Sequence, residues 1–335
     1  MNFTYFETPA FLSLALHIMT CIELPVHFFG AYCILFQTPD SMKTVKWSML
    51  NLHFWSAFLD LTVSFLTTPY VLIPAMAGFP LGALKNFGVA TEVQVYMTVT
   101  SLAVVGVATV SIFENRFFLL FAQNHWWRHI RKSFLIFNYL LALLFFVPPF
   151  LNIPDQPEAL QIVFRQLPDI PAYIRRAPVF VFATDAFWCA FSCLAIMSVL
   201  IPAETVSFIG LLFLNMYHCT RRTNLSQHTF NLQLKFIRAI CIQVSTPILI
   251  LIGPMSYLGI CLAFFTYHQA GNNICFIMMA VHGLSSTIVM LLVHKPYRDV
   301  CSNIFFFRTS TRSSLGSSAV ENSQRVMMDI RSSTF

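Results

Sequence analysis

The chain has 335 residues, of which 57% are hydrophobic and only 10% are Asp, Glu, Lys or Arg. Soluble domains carry roughly 25% charged residues, so a surface built from this chain is too apolar for water and needs lipid to cover much of it. The net charge of +6 comes from scattered bases and not from one basic run, which argues against a nucleic-acid-binding protein.

Seven apolar stretches reach the roughly 20 residues that a helix needs to cross a bilayer. None contains Lys or Arg, and many carry proline, which kinks membrane helices without breaking them. The N-terminus has no basic n-region and no small-residue cleavage site, so the first stretch is interpreted as a retained span. The sequence predicts an all-α seven-transmembrane helix bundle over 11–300, after a short N-terminal segment (1–10) and before a tail (301–335). The predicted spans lie near 11–36, 48–74, 93–113, 133–151, 187–217, 239–265 and 272–294.

The basic residues assign an orientation. With the N-terminus outside, 4 Lys or Arg (Lys85, Arg165, Arg175, Arg176) face outward and 16 face the cytoplasm, as the positive-inside rule requires. We therefore expect the N-terminus outside and the C-terminus in the cytoplasm. The glycosylation sequon at Asn2 then lies where it can be used, and the second sequon, at Asn224, does not.

The nine cysteines predict neither a metal framework nor a disulfide from the top of the third span to the second outer segment, because none lies between positions 34 and 188. Most lie inside spans, where cysteine is a small apolar filler. That second outer segment, about 152–186, holds five prolines, which argue against a long helix. Within it, residues 179–182 form a β-like run that could cover the mouth of the bundle, with or without touching a ligand.

The residues before the sixth span continue its helical pattern. Leu234, Ile237 and Cys241 share one face, and Lys235 and Arg238 lie on another. We expect the sixth helix to extend into the cytoplasm, although basic residues at this position also suit an ordinary membrane anchor.

The C-terminal segment begins with Cys301 and three phenylalanines between Arg298 and Arg308, a pattern that suits a short helix lying on the membrane. Cys301 is a candidate for palmitoylation. The tail after residue 308 is rich in Ser and Thr and poor in apolar residues, which predicts disorder.

Three acids, Glu23, Asp60 and Glu204, fall inside predicted spans. An acid at the bilayer centre costs roughly 2.5–3.5 kcal/mol on insertion scales, so each needs a physical explanation. No basic residue is expected at their depth, so no salt bridge is expected. The acids are then protonated, hydrogen-bonded or engaged with a cation and water; Glu204, two residues after Pro202, could accept a hydrogen bond near a kink or face a polar cavity. Candidate hydrogen-bond partners are Thr20, His53 and Ser64.

Three motifs carry a family resemblance. They are Glu114-Asn115-Arg116 at the inner end of the third span, the stretch KFIRAICIQVSTP (235–247) entering the sixth, and HKPYR (294–298) leaving the seventh. Together they resemble the nematode serpentine chemoreceptors, most closely class H, over about residues 10–300. The resemblance implies a G-protein-coupled receptor in the plasma membrane of sensory cilia, which senses small chemicals and activates a heterotrimeric G protein.

The resemblance also implies a switch at the cytoplasmic ends. Glu114 and Arg116 are two residues apart and do not share a helix face, so Arg116 is expected to reach a neighbouring helix or a partner. In the inactive state it could tie down the sixth helix; snorkelling to lipid headgroups is the alternative. Tyr297, with Arg298, either swings into the bundle on activation or anchors the interface. Lys235 and Arg238 would line the cleft that the G protein enters. Asp60 is placed like the sodium-linked acid of many other serpentine receptors.

A ligand is expected in the outer halves of the third, fifth, sixth and seventh spans, among apolar walls with a few polar groups. Two outward acids, Glu92 and Asp185, permit a cationic ligand, and three outer arginines equally permit an anionic one. The candidate pocket residues are Glu92, Tyr96, Asp185, Trp188, Tyr257, Tyr267, His268 and His282.

Other classes of protein are less well supported. The ten histidines are dispersed, and neither a protease Asp pair nor a nucleotide loop is present, so we expect no enzyme and no cofactor. A channel or transporter remains the alternative, although no internal repeat supports it. The twelve Ser and Thr residues after position 300 suggest phosphorylation by a receptor kinase and recruitment of an arrestin-like protein, as family analogy implies.

Overall fold

The structure is a computed structural model that describes residues 4–184, 187–222 and 227–305. The predicted seven spans are confirmed: seven helical stretches of the described chain are long and apolar enough to cross a membrane. Large apolar side chains such as Phe28 and Val199 are about 70% exposed on their outer faces, as lipid contact requires. The spans are Pro9–Phe36, Lys43–Leu66, Thr91–Ala122, Trp127–Leu151, Phe187–His218, Ile240–Phe264 and Gln269–Val293.

Several spans are built from more than one helical segment. The second and third each end in a π-helical turn, at Thr62–Leu66 and Phe118–Ala122, and the fourth and seventh are each interrupted once. Short 3₁₀ turns precede the first and second spans, at Tyr5–Glu7 and Asp40–Met42. In chain order the α-helices are α1 (Pro9–Phe36), α2 (Lys43–Leu61), α3 (Ala83–Asn86), α4 (Thr91–Phe117), α5 (Trp127–Leu144), α6 (Val147–Leu151), α7 (Gln156–Gln166), α8 (Ala172–Arg175), α9 (Phe187–Arg222), α10 (Gln227–Phe264), α11 (Gln269–Ala280), α12 (His282–Val293) and α13 (Lys295–Phe305).

The second span is shorter than predicted. Its helix stops at Leu66, and the apolar residues that follow form strand β1 (Pro69–Leu72), which pairs antiparallel with β2 (Ala77–Pro80). Pro69 has no N–H to continue a helix, and the run after it is aromatic and β-branched, which favours a strand. The predicted end at residue 74 was therefore wrong, because an apolar run of this length does not distinguish a helix from a strand.

The β-like run in the second outer segment is a strand, β3 (Phe180–Val181), which pairs with β2 to complete a three-stranded sheet. Gly78 in β2 allows this packing, since a Cβ there would overlap the backbone of Tyr70. The side chain of Gln156 holds the free side of β3, accepting from the Val181 N–H (2.9 Å) and donating to the Val181 carbonyl (3.1 Å). The β-strand prediction holds, and its partner strands were not foreseen.

Two short helices complete this segment, although its prolines argued against a long helix. Pro157 lies in the first turn of α7 and Pro171 precedes α8, positions where the missing N–H has no helical partner to lose. Buried residues of α7, Ala159 and Val163, pack with the sheet residue Tyr70 in one apolar core. We call the sheet, α7 and α8 together the cap.

The cap is tied to the rest of the bundle by polar side chains. Tyr70 donates to the Glu7 carbonyl (2.7 Å), and Asn273 of α11 donates to the Phe6 carbonyl (2.9 Å). Gln269 and Asn272 of α11 donate to the carbonyls of Val71 and Ile73 in the hairpin (3.2 and 3.1 Å). We call this end of the bundle the cap end. The opposite end, where Arg116, Arg131, Arg238 and Lys295 lie, is called the basic end.

The predicted extension of the sixth helix before its span and the helix after the seventh span are both present, as the N-terminal part of α10 and as α13. In α13 Tyr297 is fully buried, Cys301 is half-buried and Arg298 is exposed. Asn2 and the tail beyond residue 305 lie outside the described residues.

Candidate functional site

The acid of the Glu114-Asn115-Arg116 motif is fully buried at the basic end. Its carboxylate accepts from both Nε (3.1 Å) and Nη2 (2.9 Å) of Arg131 and from the Trp127 indole N–H (2.8 Å). Asn115 accepts a further hydrogen bond from Arg131 (3.2 Å), whose guanidinium lies 3.8 Å from the centroid of the Phe118 ring. A bidentate arginine–carboxylate pair of this kind fixes the third span to the start of the fourth.

Arg116 lies on another side of the same helix. Burial and, after it, the positive charge of Arg116 lower the pKa of His294, which follows the seventh span and is 4% exposed, to about 4. Nε2 of His294 lies 2.9 Å from Oε1 of Gln243, a buried residue of the sixth span, and donates to that oxygen because a carbonyl oxygen can only accept. The third, sixth and seventh spans thus meet at Arg116, His294 and Gln243, which we call the three-span junction.

Tyr297 already lies inside the bundle. It is fully buried, its hydroxyl is 2.8 Å from the hydroxyl of Thr38, and its ring packs against His294. An interface anchor would keep its polar tip in water or headgroups, so that alternative does not describe Tyr297 in this structure. Arg238 and Arg298 are exposed at the same end, and the side chain of Lys235 lies outside the described residues.

The expectation that no basic partner reaches the acids inside the spans was wrong for Asp60. Nε2 of His27 lies 3.2 Å from its carboxylate and Nδ1 of His282 lies 2.7 Å away. Sequence reasoning counted lysines and arginines and did not pair histidines across helices. Glu23 accepts a hydrogen bond from Ser64 (2.9 Å), one of the expected partners, and Glu204 faces Asn138 of the fourth span.

The residues predicted for the ligand pocket are spread over different environments. His282 is 1% exposed beside Asp60, in the interior and not in the outer half, because the seventh span is interrupted next to it. Trp188 is 68% exposed, and Asp185 lies outside the described residues. The others are placed as follows: Glu92 is half-buried in the first turn of α4, Tyr96 donates to the Leu143 carbonyl, Tyr257 packs near Gly271, Tyr267 donates to Gln269, and His268 caps the N-terminus of α11.

One cavity of about 260 Å³ opens at the cap end between the fifth and sixth spans. Its aromatic wall is formed by Phe187, Trp188 and Phe265, and Phe187 stacks on Phe265 with ring centroids 5.4 Å apart. The described polar groups on its wall, Gln166 and Thr184, are uncharged. Pro74, Ala75 and Ala183 of the cap complete the described lining. Of the predicted pocket residues, Trp188 is the one that belongs to it.

Comparison with known proteins decides the family. A family model described as serpentine type 7TM GPCR chemoreceptor Srh matches residues 7–307. This chain belongs to the Srh family of serpentine chemoreceptors. Serpentine receptor class H-72 of Caenorhabditis elegans is 28% identical to the Srh chain over 296 residues, which cover 88% of this chain and 85% of that relative.

The fold of the Srh chain is similar to that of squid rhodopsin. The crystal structure of squid rhodopsin matches with a TM-score of 0.55, covering 93% of this chain and 89% of the rhodopsin chain. At 11% identity this likeness shows the fold alone. Family and fold together make this protein a multi-pass seven-transmembrane chemoreceptor of the G-protein-coupled type and not an enzyme, as predicted.

Three residues that contact the buried acids, Trp127, Arg131 and His27, were not predicted from the sequence, although their spacing indicates shared helix faces. Trp127 and Arg131 lie in WWRHIRK, which was counted only as a basic inner segment. A tryptophan four residues before an arginine shares its helix face, so both can reach one buried acid. His27 follows Glu23 by four residues in an otherwise apolar span, the same spacing, which places two ionisable groups on one face of the first helix.

Proposed function

We propose that this Srh receptor binds a small uncharged molecule at the cap end and activates a heterotrimeric G protein at the basic end, from the plasma membrane of a chemosensory cilium. The basic end faces the cytoplasm in this proposal, which the positive-inside rule supports. Phosphorylation of the C-terminal tail by a receptor kinase, followed by arrestin-like binding, would end the signal.

The three-span junction supports the proposal that the receptor activates a G protein. Gln243 and His294 hold the sixth span to the end of the seventh, and Arg116 lies beside this contact. A ligand that favours the state in which this contact is open moves the sixth span and exposes Arg116 to the partner. Arg116 then donates to backbone carbonyls at the C-terminus of the G-protein α subunit.

The cavity between the fifth and sixth spans supports the proposal that the receptor binds a small uncharged molecule. Aromatic walls with two neutral polar groups suit a small apolar or aromatic molecule that makes a single hydrogen bond. The stack joins Phe187, the first residue of the fifth span, to Phe265, which follows the sixth span, so a ligand inserted beside it would change how these two spans pack. The predicted pocket residues Glu92, Tyr96, Tyr257, Tyr267 and His268 then serve the surrounding framework, and the described lining favours neither a cationic nor an anionic ligand.

The proposal is tested by measuring G-protein activation in heterologous cells against a panel of uncharged aromatic and aliphatic compounds and their charged analogues. Wild type and Arg116→Ala are compared at equal surface level. We expect a response to an uncharged compound that falls roughly 10-fold or more in the variant, the cost of a charge-assisted hydrogen bond. The matched control is Arg128→Ala, an exposed arginine at the same end.

An equal response in wild type and Arg116→Ala would return Arg116 to lipid-headgroup contact. A compound-evoked current without G-protein activation would support the channel alternative instead.

Gln243→Ala is expected to raise basal G-protein activation about 5-fold, because a hydrogen bond worth about 1 kcal/mol holds the closed junction. Basal activity without ligand is compared with wild type and with Ser245→Ala, an exposed position two residues further along α10. Unchanged basal activity in Gln243→Ala would show that the contact with His294 does not restrain the sixth span.

A further inference from the structure

A buried carboxylate lies where the first, second and seventh spans meet. Asp60 is fully buried, and its oxygens accept from the backbone N–H groups of Gly283 (3.0 Å) and Leu284 (2.7 Å). These N–H groups are available because the seventh span is interrupted between α11 and α12. Two histidine nitrogens complete the surroundings: Nε2 of His27 lies 3.2 Å from Oδ2, and Nδ1 of His282 lies 2.7 Å from Oδ1.

The contacts of Asp60 determine its protonation. Nδ1 of His282 lies between Oδ1 of Asp60 and the carbonyl oxygen of Met279 (3.0 Å), and since both are acceptors this nitrogen carries a proton. Two backbone N–H groups and two ring nitrogens therefore surround the two carboxylate oxygens. The roughly four lone-pair positions of a carboxylate are then occupied, which leaves no place on Asp60 for a proton or for a metal cation.

A threonine opposite the carboxylate fixes the state of His27. The hydroxyl of Thr287 donates its one hydrogen to the Gly283 carbonyl (2.9 Å), yet its oxygen is also 3.3 Å from Nδ1 of both His27 and His53. His53 already donates from Nε2 to the His27 carbonyl (3.0 Å). One hydrogen cannot serve three acceptors. A second proton on His27 turns its Nδ1 into a donor toward Thr287, so that only the Gly283 carbonyl and Nδ1 of His53 share the hydroxyl hydrogen as acceptors.

The charges that face this site require a cation. Besides Asp60, Glu23 of the first span is an acid near this site, and its carboxylate accepts a hydrogen bond from Ser64. The ion-pair partners of Asp60 within the described chain are histidines, His27 and His282. His53 adds a third histidine, with its ring 5.6 Å from that of His27. A buried carboxylate without a cationic partner is strongly destabilising, so one of the two histidines beside Asp60 must be a cation, and the hydrogen count at Thr287 selects His27.

We propose that His27 is doubly protonated and is the counter-ion of Asp60, so that this receptor neutralises its buried acid with a bound proton and not with a metal cation. His27 is the histidine that contacts both Asp60 and Thr287, and it joins the first span to the second and the seventh. This proposal does not depend on the identity of the ligand or of the G protein.

The direct test is ¹⁵N nuclear magnetic resonance of lipid-reconstituted receptor labelled on the histidine ring nitrogens, at pH 7.5. The signals of His27 are identified as those lost in His27→Gln, a variant that keeps one N–H donor for Asp60. His129→Gln, which removes an exposed histidine, controls for general effects of substitution. We expect both ring nitrogens of His27 to be protonated. An unprotonated ring nitrogen would overturn the proposal.

A second measurement tests directly whether Na⁺ binds at Asp60, and its main comparison is made on the wild-type receptor. Thermal unfolding of the wild-type receptor is compared in sodium chloride and in choline chloride at equal ionic strength, and we expect the same midpoint in both. A midpoint raised by Na⁺ in the wild type would mean that Asp60 has an open coordination position, and would refute the proposal. His27→Ala opens such a position beside a carboxylate and is expected to gain a sodium-dependent rise.

Discussion

Replacing Arg131 with alanine is expected to destabilise the receptor by about 3 kcal/mol, because it leaves the buried carboxylate of Glu114 without its cation. Trp127 still donates one hydrogen bond, but a neutral indole cannot balance the charge. The change is measured as a lower midpoint of thermal unfolding in detergent and as a lower surface level in cells.

Two further variants separate this effect from a general loss of positive charge. Arg128→Ala removes an exposed arginine one turn earlier in α5 and is expected to have almost no effect. The double variant Glu114→Gln with Arg131→Ala removes the uncompensated charge and is expected to recover part of the stability. If Arg131→Ala behaved like Arg128→Ala, the pair with Glu114 would contribute little to the fold.

Gly283→Ala is expected to cost about 3 kcal/mol, because the added methyl group has no space. A Cβ at this position would lie 2.6 Å from Oδ2 of Asp60 and 2.8 Å from the carbonyl oxygen of Ser56. The Ser56 carbonyl belongs to the backbone of α2, so it cannot rotate away as a flexible side chain would. The measurement is again the thermal midpoint, together with the yield of folded receptor.

The control for this prediction is Gly259→Ala in the sixth span, where nothing lies within 4 Å of the added Cβ. Alanine favours a helix over glycine by roughly 1 kcal/mol, so this variant is expected to be neutral or slightly stabilising. Equal stability of the two alanine variants would contradict the close approach of α12 to α2.

Much of the fold could be predicted from local features of the sequence. A run of about 20 apolar residues has one stable form in lipid, so all seven spans follow from hydropathy alone. The cap could not be foreseen in the same way. The pairing of β2 with β3 joins residues about 100 positions apart, and a short apolar strand has the same composition as the end of a helix.

In the candidate site, too, local features could be predicted from the sequence and contacts between helices could not. Motif spacing predicted that Glu114 and Arg116 lie toward the C-terminal end of the third span, on different faces of its helix. The partner of Glu114 is Arg131, 17 positions later, and depends on how the fourth helix packs against the third. The histidines at Asp60 come from the first and seventh spans, so only the tertiary arrangement brings His27 and His282 to the same carboxylate.

The interruption of the seventh span has a mechanical consequence. Its two helical halves, α11 and α12, meet at a break, and the Asp60 carboxylate accepts hydrogen bonds there from the amide groups of Gly283 and Leu284. Gln269 and Asn272 bind α11 to the cap by hydrogen bonds. At the other end, α12 is followed by His294, which contacts Gln243 of the sixth span. We therefore expect a tilt of the cap to displace α12 as well, so that the seventh span would couple movements at the cap end to movements at the basic end.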